Sequence, residues 1–558
     1  MSNSYRSVSR KRAKALVCIQ QGRYLDAKAL YGEILRSDGD DADTWGTLGA
    51  INGQLGDFEE AINCFRRSLA IKPGQVKVLF NLAQAFLYKK RLQDAVVVYR
   101  EVIRLLPNCV DAHRNLGVAL QSQQKLDEAI TCYRRVLQLQ PDHAAVHSNW
   151  LFALNYHPDY DAKMIFNEHR RWGELHADNL TRCQAHDCVA NVDRQLRVGY
   201  ISPDLRQHSV ACFFEPLLLH RNANAIHVTC YADVAVDDDT SLRLKRLSDQ
   251  WHKITGLSDL QVVELIRSDQ IDILVDLAGH TANNRLLVFA RRPAPVQITY
   301  LGYPTTTGLK TMDYRLTDAR VDPLGKTEEL YTETLLRLPD GFLCYQPPAE
   351  TPPVSLTAEN QSGHITFGSF NNLTKITPQV VSLWARILQL LPDARLHIKN
   401  NSLADPATCK HYHDLFLSEG ISRDRIDLIA SVASLYEHLV LYSRVDIALD
   451  TFPYNGTTTT CEAMWMGVPV ITLAGNTSAG RVGSSLLHQL GLSELIGDQP
   501  DDYCNLAVAL AYDSERRIRL RQQLRPMMET SSLCDGQSFA RTVETVYRAV
   551  WRDYCLQL

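Results

Sequence analysis

The apolar positions of this chain follow two rhythms. In its first part they return every 34 residues: Ala27, Ala61, Ala95 and Ala129, then Tyr31, Phe65, Tyr99 and Tyr133, then Leu48, Leu82 and Leu116, with Pro73, Pro107 and Pro141 at the same step. Small residues at a fixed interval let helices approach, the aromatics fill the space beside them, and each Pro stops the second helix of a pair. No single pair covers its own apolar face, so the spacing predicts an α-solenoid of stacked helix pairs with a concave groove. From Gln195 the rhythm changes to short apolar runs separated by helical segments. Leu196–Ser202, Ile271–Gly279, Val296–Leu301 and Tyr314–Leu316 read as strands, with helices at Ser241–Ser248 and Asp259–Arg267. A second set follows at Ile365–Phe370, Arg395–Lys399, Ile426–Ile429, Val445–Leu449 and Val468–Leu473. Strands alternating with helices predict parallel sheets covered on both faces, hence two Rossmann-like α/β lobes.

The predicted boundaries are repeats over 1–155, a helical joint over 156–194, a first α/β lobe over 195–345, a proline-rich linker over 346–363, a second α/β lobe over 364–535 and a C-terminal helix over 536–558. In that last helix Phe539, Val543, Val546, Tyr547, Val550 and Trp551 share one face, which predicts packing against a lobe, with a return to the first lobe as one route. The 34-residue unit resembles the tetratricopeptide repeat. Asn81, Asn115 and Asn149 keep its step on the first helix of their repeats. An amide ladder there would hold an extended polypeptide by its backbone; the plainer reading is pairing between adjacent repeats. Cys183 and Cys188 bracket His186 in the joint, but no fourth ligand is evident and no metal is expected.

Composition narrows the function classes. A formal net charge of -4 gives no reason to expect nucleic acid or an anionic membrane as partner. Fourteen cysteines without a Cys-x-x-Cys pair fit reduced thiols, and no apolar run reaches the roughly 18 residues of a membrane span. A cytoplasmic protein is the expectation.

The second lobe carries the most informative stretch, Asp450-Thr-Phe-Pro-Tyr-Asn-Gly-Thr-Thr-Thr-Thr-Cys-Glu462. A strand runs into a Pro-Tyr-Asn-Gly turn and then into a helix start, where unpaired amides attract anions. Thr459 and Glu462 have capping-box spacing. An ordinary capped helix needs one Thr; four in a row point to a diphosphate site at the end of a strand, where open α/β sheets bind ligands. Asp237-Asp-Asp239 fits a metal-binding DxD pattern formally, but the helical segment after it favours a solvated turn.

Taken in order, LRVGYISPD, RPAPVQITYLGYP, FGSFNNLTKITP and DTFPYNGTTTTCEAMWMGVPVITLAG after the repeats resemble the nucleocytoplasmic protein O-glycosyltransferases. That family holds the O-linked N-acetylglucosamine transferases and the plant-type Spindly proteins, which use GDP-fucose. The resemblance implies a GT-B catalytic region, with the acceptor on the first lobe and the nucleotide sugar on the second, that inverts sugar configuration without a metal or cofactor. It places Asn372 and Lys375 at the donor diphosphate, with Lys375 meeting the leaving charge. Thr458 and Thr459 become the phosphate pair, Ala433, Leu435 and His438 the base and ribose wall, and Glu462 a ribose contact that competes with the capping box. His208 falls at the active site, as a general base or as an orienting group, and His280 is a second candidate or else a satisfied structural histidine. Animal-type transferases have His where this chain has Thr457 and Lys where it has Leu435, so both positions lean to the Spindly type. The implied reaction is transfer of N-acetylglucosamine from UDP-GlcNAc to Ser or Thr of polypeptides held by the repeat groove. Its rivals are a protein O-fucosyltransferase using GDP-fucose and a repeat scaffold with a degenerate transferase module.

Overall fold

In the computed structural model, which describes residues 2–37, 39–180, 191–355 and 363–557, the 34-residue step is built as helix pairs. These are Ser2–Gln20 with Tyr24–Ser37, Ala42–Gln54 with Phe58–Ile71, Val76–Tyr88 with Leu92–Leu105, and Val110–Ser122 with Leu126–Leu139. Ala27, Ala61, Ala95 and Ala129 are fully enclosed, and Tyr31, Phe65, Tyr99 and Tyr133 are buried beside them. Asn115 spends its amide locally: Nδ2 donates to the Tyr99 hydroxyl of the preceding repeat at 3.0 Å, and Oδ1 accepts from Arg114 at 3.2 Å. At this position the pairing between repeats is what the side chain does.

One compact unit comprises Met1–Pro141 with Ser402–His411; the other comprises Asp142–Asn401 with Tyr412–Leu558. The second unit begins with helices Ala144–Leu154 and Ala162–His176. The sequence pattern counts the first of these with the repeats, yet its buried polar residues are committed to the α/β region. The Ser148 hydroxyl meets His280 Nδ1 at 2.9 Å, and Asn155 Nδ2 donates to the Tyr303 hydroxyl at 3.0 Å. Gly173 and Gly308 permit this docking, because a Cβ on either would lie 2.1 Å from a backbone oxygen across the contact.

Seven parallel strands form the first sheet: β1 Leu196–Ser202, β2 Ile226–Ala232, β3 Gln250–Lys253, β4 Ile273–Asp276, β5 Val296–Thr299, β6 Tyr314–Asp318 and β7 Thr334–Leu338. Their order is β3-β2-β1-β4-β5-β6-β7. The second sheet, also parallel, has β8 Thr366–Ser369, β9 Arg395–Lys399, β10 Ile426–Ile429, β11 Ile447–Leu449, β12 Val470–Leu473 and β13 Ile496–Gly497, in the order β10-β9-β8-β11-β12-β13. Central strands such as β4 and β12 are buried at every residue, as a sheet covered on both faces requires.

The chain passes from the first lobe to the second and then returns. On the way out Gln346 N donates to Cys212 O at 2.7 Å, and Arg521 and Arg525 hold the Ser355 and Pro352 carbonyls. On the way back Leu533 O accepts from Tyr345 N at 2.6 Å, and Ser532 donates to Asp340 O, so the two crossings lie side by side. Helix Gly536–Gln557 then packs on the first lobe: the Tyr547 and Tyr200 hydroxyls meet at 3.2 Å, and Arg548 caps the Val192 and Arg194 carbonyls. Among the described residues no helix is long and apolar enough to cross a membrane.

Candidate active site

Each sheet reverses its strand order once, between β1 and β4 in the first and between β8 and β11 in the second. Loops leaving such a strand pair diverge and open a crevice at the carboxyl ends. A cavity of about 1200 Å³ is lined from all four loops: Pro203, Asp204, Arg206 and His208 after β1, Thr281 to Arg285 after β4, Asn371, Asn372 and Lys375 after β8, and Tyr454 with Thr457, Thr458 and Thr459 after β11.

The second-lobe half is a frame of fixed polar groups. Asp450, fully enclosed at the end of β11, accepts from the backbone of Gly456 at 2.6 Å and Thr451 at 2.9 Å and from the Thr472 hydroxyl at 2.7 Å. Burial pushes its carboxyl up to about 6 against those bonds. The frame folds the turn so that Asn455 O faces Lys375 Nζ at 2.6 Å, and the ammonium lies 4.2 Å from the Tyr454 ring centroid. Loss of solvent brings Lys375 down to about 8, with Asp450 pulling the other way. Asn372 turns inward on its own backbone, accepting from Thr374 N at 3.1 Å and so shaping the loop that carries Lys375.

Helix Thr458–Trp465 starts without a side-chain cap. The capping box expected of Thr459 and Glu462 is not formed, because each side chain is used elsewhere. Thr459 Oγ1 donates to Asn371 Oδ1 at 2.9 Å, and Glu462 Oε2 lies 3.0 Å from His438 Nε2. Gly456 is required here, since a Cβ would crowd the Thr459 and Thr460 hydroxyls and Asn371 Oδ1 at 2.7 to 2.9 Å. Thr458 Oγ1 is buried with no hydrogen-bond partner, so the helix start keeps free donors toward the cavity.

The first-lobe half is more exposed and titratable. His208 precedes helix Ser209–His220 and its Nδ1 accepts from Val210 N at 3.3 Å. That bond fixes the proton of a neutral ring on Nε2, which faces Asp204 Oδ1 at 3.8 Å. Burial lowers its pKa, Asp204 opposes the change and Arg206 adds to it, so the ring is neutral near pH 7. Nε2 thus offers a donor toward Asp204, a geometry that suits the orienting alternative for His208.

Several expected residues stand outside this lining. Ala433 N donates to Glu437 Oε2 at 2.8 Å at the start of helix Leu435–Val440, and Leu435 is exposed. His438, from the same helix, joins Glu462 at the far end of the threonine helix. His280 is fully enclosed: Nδ1 meets Ser148, Nε2 meets Thr307 O at 2.8 Å, and Trp172 and Tyr303 pack edge-on. Burial lowers its pKa strongly. With both nitrogens used and the ring outside the cavity lining, His280 is placed as the satisfied structural histidine, the second of the two expectations. Asp238 caps helix Asp239–Leu247 through Ser241 N at 2.8 Å, as a turn residue does. Cys183, His186 and Cys188 lie outside the described residues, and among those described no group of three or more His, Cys, Asp or Glu is placed to hold a metal.

Residue reasoning passed over Asn371, Asp450, Asn455, Tyr454 and Tyr156. All but Tyr156 sit inside the motif stretches, where their polar or aromatic character was the available signal. Tyr156 falls where the repeat pattern breaks down and carried none.

Two α/β sheets with a cavity across their switch points, following an array of helix pairs, define a GT-B glycosyltransferase architecture. The chain belongs to glycosyl transferase family 41, whose model matches residues 173–346 and 356–543. Residues 32–146 match the cytochrome c-type biogenesis protein H TPR domain. A probable UDP-N-acetylglucosamine--peptide N-acetylglucosaminyltransferase SPINDLY of Oryza sativa subsp. japonica is 43% identical over 73% of this chain. The corresponding protein SEC of Arabidopsis thaliana is 30% identical over 65%. The chain spans 44% and 38% of the lengths of these two relatives. A solved Thermobaculum terrenum O-GlcNAc transferase mutant is 36% identical, with a TM-score of 0.86 over 92% of this chain and 98% of the solved one.

Proposed function

We propose that the protein is a glycosyltransferase that moves N-acetylglucosamine from UDP-GlcNAc to Ser or Thr hydroxyls of polypeptides, with inversion and without a metal. One observation carries the reading: Lys375, the Thr458 and Thr459 hydroxyls and an uncapped helix start converge on one cavity that also opens onto the first lobe. In the reaction an acceptor oxygen bonds to the anomeric carbon as the bond from that carbon to the diphosphate breaks. The electron pair leaves on the diphosphate, and the hydroxyl proton passes to water. Lys375, the two threonines and the helix amides stabilise the departing charge by preorganised electrostatics, which a metal supplies in other transferases.

His208 Nε2–H and Arg206 orient the sugar or the acceptor, while His438 and Glu462, with Ala433 and Leu435, belong to the nucleoside end. The repeat groove presents polypeptide through Asn81 and Asn149, Asn115 being engaged with Tyr99. A cytoplasmic setting suits such acceptors. The UDP donor is supported by the names of the rice and Arabidopsis relatives.

A second reading, fucose transfer from GDP-fucose, is favoured by Thr457 and Leu435 and by the higher identity to the SPINDLY relatives, 42% against 30% for SEC within Arabidopsis. The bare scaffold is disfavoured by a desolvated lysine aimed into the cavity. Thermal-shift titration with UDP and GDP, followed by intact-mass assay of lysate proteins with UDP-GlcNAc and GDP-fucose, separates the three. Stabilisation by UDP and a gain of N-acetylhexosamine are expected, because a ligand of the folded state raises its stability by mass action. Stabilisation by GDP alone moves the assignment to fucose, and nucleotide binding without transfer leaves the scaffold.

A further inference from the structure

The Lys375 ammonium has one hydrogen-bond acceptor, Asn455 O at 2.6 Å, and no carboxylate in salt-bridge contact among the described residues. Its other close neighbour is the Tyr454 ring, 4.2 Å away at the centroid. That ring is in turn stacked on Tyr156, with centroids 4.9 Å apart and planes 18° from parallel. Tyr156 is buried just past the end of helix Ala144–Leu154 and locked by its own contacts: Phe152 meets it edge-on at 5.1 Å and lies 5.9 Å from Tyr303. Tyr303 is held by Asn155 at 3.0 Å and by His169 at 2.8 Å.

We infer that Tyr454 is a positioning residue for Lys375, and that Tyr156 sets Tyr454, so the end of helix Ala144–Leu154 and the turn after it control where the diphosphate-facing charge sits. This rests on the donor-diphosphate reading of the cavity. The physical reason is that a carboxylate in contact would hold a lysine but quench the charge that a diphosphate needs. An aromatic face attracts the cation through its quadrupole and leaves the charge available. Lys375 has four rotatable bonds, so without the ring the ammonium has only one carbonyl to define its place. The arrangement also ties the cavity to helix Ala144–Leu154 through Phe152 and Tyr156.

The test uses the full chain with Tyr454→Leu, Tyr454→Phe and Tyr156→Leu, each also in a Lys375→Met background. Affinity for UDP and GDP, and for uridine and guanosine, is measured by calorimetry after thermal unfolding has confirmed each fold. Tyr454→Leu is expected to weaken the bound diphosphate about tenfold, Tyr156→Leu about threefold and Tyr454→Phe less than twofold, in line with a desolvated cation–π contact. The nucleosides should be unaffected, and the losses should vanish beside Lys375→Met, which isolates the coupling between the two positions. Equal losses in both backgrounds, or none in a folded Tyr454→Leu, would overturn the inference. A donor-independent arm follows amine labelling of Lys375 against pH by peptide mass spectrometry. The free amine of Lys375 should label several-fold faster once Tyr454 or Tyr156 is Leu and unchanged with Phe; unchanged rates in all three refute the positioning role. Failure of the wild-type chain to bind either diphosphate would instead remove the donor reading and leave the labelling result to decide on Tyr454.

Discussion

The two lobes solve the same topological problem with different chemistry. Both sheets reverse at the pair formed by their first and fourth strands in sequence, and both send two loops to the cavity. In the second lobe those loops carry neutral hydroxyls, amides and one lysine, nearly all held by bonds to buried neighbours such as Asp450 and Asn371. In the first they carry Asp204, Arg206, His208 and Arg285, with Asp233 beside them after β2, groups with charges or protons to move. Even there Arg285 is fixed, donating to Asp233 at 2.8 Å and Asp259 at 2.9 Å. Under the proposed function the contrast gives charge stabilisation to a half braced by buried partners and substrate orientation to a half richer in titratable groups.

The sharpest way to break this division is to remove the charge from the fixed half. Lys375→Met should lower transfer by about 10²–10³-fold, the usual loss for one preorganised electrostatic group. The fold should survive, since a desolvated ammonium costs stability rather than supplying it. Intact-mass kinetics and thermal unfolding check both points, and near-normal turnover would place the leaving-group role elsewhere.

A smaller effect follows from pH. The Lys375 pKa in the free protein is depressed to about 8, so the charge is present below that pH and is lost as pH rises through it. kcat/KM should therefore fall about tenfold per unit above pH 8, whereas an unperturbed lysine would hold it level to beyond pH 10. kcat should bend at a higher pH, because a bound diphosphate favours the ammonium. A kcat/KM profile flat to pH 10 would contradict the depressed pKa.

Asp450→Asn probes the frame itself. It replaces an acceptor of three hydrogen bonds by a group that must turn a donor toward one of them, so folding stability should drop by about 1–3 kcal/mol in urea titration. The smallest change is expected from the titratable half. His208→Asn keeps a helix-capping acceptor and a donor, so transfer should fall less than about tenfold. A loss of 10²–10⁴-fold would assign His208 the general-base role instead.

Much of this could be read from residue order. The strands β1, β4, β5, β6 and β8 to β12 were legible because central parallel strands are short, apolar and bounded by polar residues. β3, Gln-Trp-His-Lys at the sheet edge, and β13, two residues long, have no such pattern, and β2 is interrupted by His227 and Thr229. At the site, Lys375 and the threonines were legible from their motifs. The failure of the capping box was not, because Glu462 and Thr459 are claimed by His438 and Asn371, each distant in sequence. His280 was left open for the same reason: its partners, Ser148 and Thr307, come from other elements, and only the fold shows both nitrogens spent.

The paired crossings between the lobes bear on how the two halves of the cavity are held together. Because the outgoing and returning segments are bonded to each other, at Tyr345 with Leu533 and Asp340 with Ser532, they form one double strap between the lobes. A single tether would let the lobes twist and slide. Two segments bonded to each other resist those displacements more than either would alone. Removing helix Gly536–Gln557 would leave every cavity-lining residue in the chain but take away the packing that anchors the returning segment on the first lobe.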